Sequence, residues 1–591
     1  MRKSIFAISL YFNCFATALA VANPLNLFVD QCLQFNAIQE IAIPQEWQLS
    51  ATSHPSSSIT SSNSLVEFEA TLLTLNNLND RNNYYRNFTK HPEQQQQLLN
   101  CQVHLADELS ALLNNIDANQ LEKDLIHRKQ NNANDASTLY IKTIQHIQEQ
   151  QLSYDVKSQL HSLQAMIRHY FMQDFSFHAT KSCALAEIVD NAQESPKAKS
   201  TSEANVARYL LSQADVSCRQ LAWFAYQTRV KTQNQLNLLA LHKLRTLLAV
   251  QTGFSNVADH QLSVHSLTAA QLNRFLDSQT INIELAPWDL PRELQALPKV
   301  SVAPHQSLLF LEQMFTLLSE FDLRFELIST TDNPFRLYRV WLSQRLLGEI
   351  YVELDEHTSK INQHRIKQAV IGHQFGQYGL KLPLNLTTVK QHNDVVFIVS
   401  DIINQLAKGS PFYYLNHQDI SLANQSLGSY WLSAWFVNKL GLEYTTSARV
   451  QLLQSFAKQQ RIFKAKVALL FYQQADLSNY FLYESSLHKS VSNAFNDSFG
   501  VPWPTGADAI FSYQAIANQG ISYYLLQWQE TLAQLILNET LSSSQAKDIF
   551  DVLIVNEHNQ AIYDQLSAIF KQPMDFENLL RRINYAGTKQ E

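Results

Sequence analysis

Apolar residues recur every three or four positions along most of this chain, which is the spacing of amphipathic helices. This spacing predicts helices within the ranges 64–115, 137–172, 203–226, 233–250 and 306–321. The helical pattern resumes at about residue 393 and continues to the C terminus. The positions of hydrophobic residues therefore predict a mainly α-helical protein.

One region departs from the helical spacing. The segments 325–328 and 336–341 are rich in aromatic and branched residues, and 347–354 alternates between apolar and polar positions. Alternation with period two is typical of a half-buried strand. We expect one small antiparallel sheet at about 325–385, embedded in the helical protein.

Composition supports this fold class and narrows the possible functions. The 591 residues include only 12 glycines and 15 prolines, whereas Rossmann, β-sandwich and propeller folds need many turn glycines. Hydrophobic residues make up 46% of the chain, which excludes a disordered protein. The net charge is −7 and no run of Lys or Arg exceeds two, so we do not expect nucleic-acid binding.

The N terminus has the pattern of a secretory signal peptide. Arg2 and Lys3 precede an apolar stretch, and Ala18-Leu19-Ala20 or Ala20-Val21-Ala22 offers small residues for cleavage. We therefore assign 1–22 as a signal peptide and expect a periplasmic or secreted protein. The alternative is an N-terminal membrane anchor, although the apolar stretch is short for a span. Nothing later in the chain predicts a membrane span.

Four cysteines remain after the predicted cleavage: Cys32, Cys101, Cys183 and Cys218. In an oxidising compartment an even number allows two disulfides, with three possible connectivities. We favour Cys183 with Cys218 as a local pair. The alternative is a set of buried free thiols.

Several short segments resemble one family when read in chain order. They are Trp223–Arg229 with Asn234, Leu244-Arg245, Gly253–Ala258, Pro287-Trp288-Asp289, Arg461–Ala465 and Ser522–Glu530. Their order resembles the thimet oligopeptidase, oligopeptidase A and oligoendopeptidase F family of zinc metallopeptidases, over roughly residues 65–585. The resemblance implies a two-lobed helical ellipsoid with a deep channel. It also implies an N-terminal helical lobe at 23–300 and a catalytic-domain-like lobe at 301–591.

The chemistry of that family depends on H-E-x-x-H, in which two histidines bind zinc and the glutamate activates a water. This chain has no such motif. When 392–406 is aligned with the family's zinc helix, Ser400 and Asn404 occupy the histidine positions and Asp401 the glutamate position. Leu422 then falls at the third ligand. A rival register places His373 and the following residues, His373-Gln374-Phe375-Gly376-Gln377, at the motif.

The family's substrate-binding segment resembles the region around Tyr523. That tyrosine is retained, whereas Gln514 and Gln519 stand where the family has histidine and tyrosine. We therefore predict that Tyr523, Gln514 and Gln519 line a peptide-binding site. A replacement metal site formed by His357, His364 and His373 is an open alternative, since histidine is a common ligand.

The sequence thus predicts an exported, non-catalytic homologue of a zinc oligopeptidase that binds peptides or a protein partner and needs no cofactor. The alternative is an active metallo-oligopeptidase that hydrolyses short peptides with zinc at an unrecognised site. A third possibility is a structural partner without a peptide site.

Overall fold

The fold is described by a computed structural model covering residues 23–36, 62–114, 140, 143–145, 147, 152–178, 180–184, 203–328, 335–416, 426–442, 446–477, 486–540 and 545–588. The chain divides into two compact units, Met1–Gln120 and Leu121–Glu591. The predicted signal peptide at 1–22 lies outside the described residues. The predicted lobe boundary near residue 300 and the two-lobed shape with its channel stay predictions.

The described part of the chain is mainly helical, which confirms the predicted fold class. The α-helices in chain order are α1 (Pro24–Gln34), α2 (Ser62–Phe88), α3 (Pro92–Asn114), α4 (Tyr154–Phe171), α5 (Val206–Ser212), α6 (Val216–Gln227), α7 (Lys231–Gln251), α8 (Val257–Ser263), α9 (Ala269–Ser278), α10 (Leu290–Ala296), α11 (Ser307–Leu317), α12 (Val389–Leu406), α13 (Tyr413–Asn416), α14 (Leu427–Lys439), α15 (Ala448–Tyr472), α16 (Ser486–Phe499), α17 (Ala515–Asn518), α18 (Leu525–Thr540), α19 (Ala546–Phe550), α20 (Ile562–Phe570) and α21 (Phe576–Thr588). Short 3-10 helices occupy Lys181–Cys183, Leu318–Phe321, Gly506–Phe511 and Gly520–Tyr524, and a π-helical turn occupies Asp551–Val555.

Two of the predicted helical ranges each contain two helices, because a residue within the range starts a new helix. The range 64–115 breaks between α2 and α3, where Pro92 takes the first position of the new helix, since it has no N–H to donate. The range 203–226 breaks before α6, where the Asp215 carboxylate accepts from the Cys218 backbone N–H at 2.8 Å. A capping carboxylate satisfies an N–H that the helix itself leaves unpaired.

Within the described ranges, nine strands form three sheets. The strands are β1 (Phe177–His178), β2 (Glu203–Ala204), β3 (His305–Gln306), β4 (Leu323–Ile328), β5 (Phe335–Leu342), β6 (Arg345–Asp355), β7 (Asn362–Lys367), β8 (Gly376–Pro383) and β9 (Asn385–Leu386). β1 pairs with β2 and β3 with β9, while the main sheet has the order β4-β5-β6-β8-β7.

The main sheet lies where the sequence predicted it, but one of its pairings has the opposite direction. β4–β5, β5–β6 and β7–β8 are antiparallel, whereas β6 and β8 run parallel, with Gly348 opposite Gly376. Parallel neighbours require a crossover of a dozen or more residues. The segment between β6 and β8 supplies it, and it carries β7 to the far edge of the sheet.

Both units contain a disulfide. Cys183 and Cys218 are bonded, as the sequence predicted, and Cys32 is bonded to Cys101. The alternative of free thiols is therefore wrong. Cys32–Cys101 joins α1 to α3, and Cys183–Cys218 joins the 3-10 turn at Lys181–Cys183 to α6. No helix among the described residues is long and apolar enough to cross a membrane.

Residues that carry the family resemblance take part in packing within the larger unit. Arg219 is nearly buried and donates to the Asp289 carboxylate, with 2.8 Å from its Nε. The neighbouring Trp288 ring lies 5.7 Å from the Trp223 ring. The Pro287-Trp288-Asp289 segment is thus held to α6 by an ion pair and by aromatic contact.

A buried histidine links α7 to α15. The His242 ring lies 4.9 Å from the Phe471 ring and stacks on Tyr472 at 5.8 Å. Burial lowers the pKa of His242 to about 4; backbone hydrogen bonds at Phe471 and Gln474 oppose this shift, and the charge of Arg245 acts in the same direction as burial. The imidazole is therefore neutral in the folded protein at pH values where the unfolded chain is already protonated.

We predict that His242 makes the protein less stable in acid. Below pH 6.5 the unfolded state binds a proton at this residue, while the folded state does not until about pH 4. The lost free energy of unfolding should reach about 3 kcal/mol at pH 4. Urea denaturation across this range should show a steeper decline for the natural protein than for His242→Phe, which keeps an aromatic ring. Parallel pH curves for the two proteins would contradict the prediction.

Candidate functional site

The helix that the resemblance aligns with the family's zinc helix is α12. It begins at a capping box, in which the Thr388 hydroxyl accepts from the Gln391 N–H and the Gln391 side chain accepts from the Thr388 N–H, both at 3.2 Å. This reciprocal pair fixes the start of the helix. Residues 392–406 lie on this single helix, and their register against the family's motif stays a prediction.

Glycines allow α12 to approach its neighbours closely. A methyl group added to Gly348 or to Gly376 would lie 2.5 Å from Leu406 Cδ2, and one added to Gly428 would lie 2.5 Å from Asn404 Oδ1. The C-terminal half of α12 is therefore in direct contact with the parallel β6–β8 pair and with α14. No larger residue fits at these three positions without a shift.

Hydrogen bonds engage the three side chains that the resemblance aligns with the family's motif. Ser400 is fully buried and its hydroxyl donates to the backbone carbonyl four residues earlier at 2.7 Å. Asp401 accepts from the Ser429 hydroxyl at 2.9 Å and from the Gln363 amide at 2.8 Å. Asn404, also fully buried, donates to Ser429 at 3.0 Å. The four side chains Gln363, Asp401, Asn404 and Ser429 form one network, which we call the Asp401 network.

The Asp401 network does not fit a zinc centre. Zinc sites in proteins are built from His, Cys and carboxylate ligands, whereas Ser400, Asp401 and Asn404 offer one hydroxyl, one carboxylate and one amide. Both Asp401 oxygens already accept hydrogen bonds from this network. Leu422, aligned with the third ligand, lies outside the described residues.

The histidines of the alternative metal site are not assembled. His357 follows β6, His364 lies in β7, and His373 lies in the turn before β8. Among the described residues there is no group of three His, Cys, Asp or Glu side chains that could hold a metal ion. His373, the residue of the rival register, lies in a turn and not on a helix.

The predicted peptide-binding residues lie close together in the chain before α18. Tyr523 is partly buried within the 3-10 helix Gly520–Tyr524, Gln514 precedes α17, and Gln519 follows it with its side chain exposed. Burial raises the pKa of Tyr523, an effect that the nearby Arg461 opposes. None of the three is among the described residues that line the two cavities reported below, so their role stays a prediction.

A cavity of about 1210 Å³, which we call the α12 cavity, opens beside the N-terminal half of α12. Its walls combine apolar and charged side chains from α12, α14, α15 and α18, among them Phe397, Ile398, Tyr430, Val437, Arg461 and Glu530. Arg461 and Glu530 form an ion pair across the α15–α18 contact. Clefts of this kind, mostly apolar with a few polar groups, are typical ligand sites.

Three cationic side chains, including Arg461, lie on one face of α15. Lys458, Arg461 and Lys464 are spaced three apart, which places them on the same side of the helix. The Lys464 ammonium lies 5.4 Å from the centre of the Tyr513 ring, which is 5.4 Å from the Tyr523 ring. Burial lowers the pKa of Lys464 to about 8, and the charge of Arg229 adds to this effect.

Several residues that form this site could not be predicted from the sequence. Gln363 lies in β7 and Ser429 in α14, so their contacts with Asp401 join elements 38 and 28 residues apart in the chain. Neither residue belongs to a recognisable motif. The sequence shows that glycines are few, but it does not show which residues pack closely against Gly348, Gly376 and Gly428.

Comparisons with known proteins show the fold. No family model matches the sequence, and no curated protein matches it significantly. Among solved structures, the chain is similar to PZ peptidase A with inhibitor 2, with a TM-score of 0.51 and 11% sequence identity over 95% of each chain. The chain therefore has a peptidase-like fold.

We predict that the Asp401 network stabilises the fold. Asp401→Ala leaves the buried Ser429 hydroxyl and the Gln363 amide without their acceptor, which should cost roughly 1–3 kcal/mol in the free energy of unfolding. A suitable control on the same helix is Asp394→Ala, which removes only the exposed pair with Lys390 and should cost about 0.5 kcal/mol or less. Chemical denaturation measures both. Equal losses in the two variants would refute a structural role for Asp401.

Proposed function

We propose that this protein is an exported, non-catalytic relative of the thimet oligopeptidase-like peptidases, and that it binds peptides in the α12 cavity. One observation carries the proposal: a cavity of about 1210 Å³ lies beside the helix whose residues Ser400, Asp401 and Asn404 the resemblance aligns with the family's motif. The peptidase-like fold supports peptide binding as the ancestral activity. The residue types at these three positions are not those of a zinc site, which supports the loss of catalysis.

The chemistry of the cavity suits a peptide. The Phe397 and Tyr430 side chains contact each other, with ring centres 5.2 Å apart, and offer an apolar surface on one wall. Arg461 and Glu530 on the opposite elements offer both signs of charge to backbone and side-chain groups. Burial raises the pKa of Tyr430, so its hydroxyl stays protonated and can donate a hydrogen bond at neutral pH.

Export is part of the proposal and rests on two features. The segment 1–22 has the signal-peptide pattern. The disulfides Cys32–Cys101 and Cys183–Cys218 suit an oxidising compartment, since such bonds are rare where thiols are kept reduced. We infer a periplasmic or secreted location.

The first experiment measures the metal content of the mature protein after a mild chelator wash, by elemental mass spectrometry. We expect far less than one zinc per chain and no hydrolysis of short peptides. Zinc at about one per chain together with peptide cleavage would overturn the proposal and establish the alternative, an active metallo-oligopeptidase.

The second experiment tests peptide binding. Fluorescence anisotropy with labelled random peptides should show saturable binding to the natural protein. Tyr430→Ala should weaken it by about tenfold or more, because a large aromatic contact is lost. Tyr430→Phe, which keeps the ring, is the matched control and should retain most of the affinity. Absence of binding to the natural protein, or equal affinity of the two variants, would argue against the α12 cavity as the peptide site.

A further inference from the structure

A second cavity, of about 350 Å³, lies at the C-terminal end of α12. We call it the Lys408 cavity. Its walls are the start of β6 at 345–347, the turn at 369–375, and Leu406 with Lys408 at the end of the helix. The α12 cavity contacts α12 at residues 393–398. An α-helix rises 1.5 Å per residue, so Asp394 and Leu406 are roughly 18 Å apart along the axis, and the two cavities are separate.

Hydrogen bonds hold the turn that forms one wall of the Lys408 cavity. The Val370 N–H donates to the Gln374 carbonyl at 2.9 Å, and the Ile371 N–H donates to the Ser410 carbonyl at 3.2 Å. The Asn416 side chain donates to the Ala369 carbonyl at 3.1 Å. The wall is therefore fixed by bonds to the segment that follows α12.

Three basic side chains line this cavity: Arg345, His373 and Lys408. None of the described lining residues carries a carboxylate. Arg345 donates to the Ala407 carbonyl at 3.2 Å and lies 3.6 Å from Glu557, a side chain that is 62% exposed. This exposed ion pair neutralises Arg345 only weakly.

The positive charge of Lys408 is less well compensated than that of Arg345. Its side chain is partly buried, and its ammonium has no hydrogen-bond or ion-pair partner within the described part of the chain. Burial lowers its pKa to about 8, although the charge of the Asp401 carboxylate opposes the shift. Taking a charge out of water without a partner is costly, so an anion entering the cavity would recover part of that free energy.

The remaining walls are largely apolar. Leu347 and Leu406 are buried, and Ile371 and Phe375 complete the lining on the turn. A fully hydrated anion such as phosphate gains nothing from such walls. A carboxylate attached to an apolar group would place its charge near Lys408 and Arg345 and its apolar part against these side chains.

We propose that the Lys408 cavity binds a small carboxylate ligand with an apolar body. Two sources share this chemistry, namely the C-terminal apolar residue of a peptide and a medium-chain fatty acid. The site does not depend on peptide binding in the α12 cavity, because the lining residues of the two cavities do not overlap.

Isothermal titration calorimetry on the full chain tests this proposal with N-acetyl-leucine, octanoate and inorganic phosphate. At least one carboxylate should bind and phosphate should bind at least tenfold more weakly, a difference of about 1.4 kcal/mol. Tighter binding of N-acetyl-leucine indicates a peptide terminus, and tighter binding of octanoate indicates a fatty acid. Failure of both carboxylates to bind, or phosphate binding as tightly as they do, would overturn the proposal.

Variants then locate the binding site. Lys408→Met removes the charge but keeps the aliphatic stem and should weaken carboxylate binding about tenfold. Lys408→Arg keeps the charge and should bind nearly as well as the natural protein. Lys390→Met, at the exposed N-terminal end of α12, is the matched control and should bind normally. Carboxylate binding that survives in Lys408→Met, or that disappears in Tyr430→Ala, would place the ligand elsewhere.

The melting temperature of Lys408→Met decides whether lost binding reflects unfolding. Removal of an uncompensated cation should leave the melting temperature unchanged or raise it. A folded variant that no longer binds therefore supports the site. If Lys408→Met melts well below the natural protein, the lysine has a structural role and the proposal is wrong.

Discussion

The close packing of α12 against the β6–β8 pair and against α14 is the constraint on which the rest of this site depends. Gly348 and Gly376 leave room for the Leu406 side chain, and Gly428 leaves room for the Asn404 amide. Protein interiors are close-packed, so such gaps are filled by side chains of matching size. An imidazole in place of Asn404 would have to push α14 away. The Asn404 side chain and the glycine opposite it therefore form one packing arrangement.

The Asp401 network also joins α12 to its neighbours. The two Asp401 oxygens accept from Gln363 of β7 and from Ser429 of α14, so one side chain of α12 is bonded to both elements. Hydrogen bonds to a charged acceptor are stronger than those between neutral groups. A single carboxylate that accepts from two neutral donors thus holds three elements together.

The sequence predicted those features of the fold that depend on local periodicity. Helical spacing indicated most of the helices, and alternation in 347–354 indicated β6. Chain proximity suggested the Cys183–Cys218 bond. The parallel direction of β6 and β8 depends on where β7 adds to the sheet, and no local pattern encodes it. The Asp401 network and the Lys408 cavity are likewise formed by residues distant in the chain, so their chemistry emerged only from the fold.

Charge has a different role at the two ends of α12. Near the N-terminal half, Arg461 is paired with Glu530, and the α12 cavity offers both signs of charge to a ligand. Near the C-terminal end, the helix dipole favours cations, and Arg345 indeed donates to the Ala407 carbonyl. The helix terminus does not need Lys408 as a second cation, because Arg345 already donates a hydrogen bond to the Ala407 carbonyl. An excess cation in a confined, partly apolar space is unfavourable for the protein alone, and it is explained if an anionic ligand completes the site.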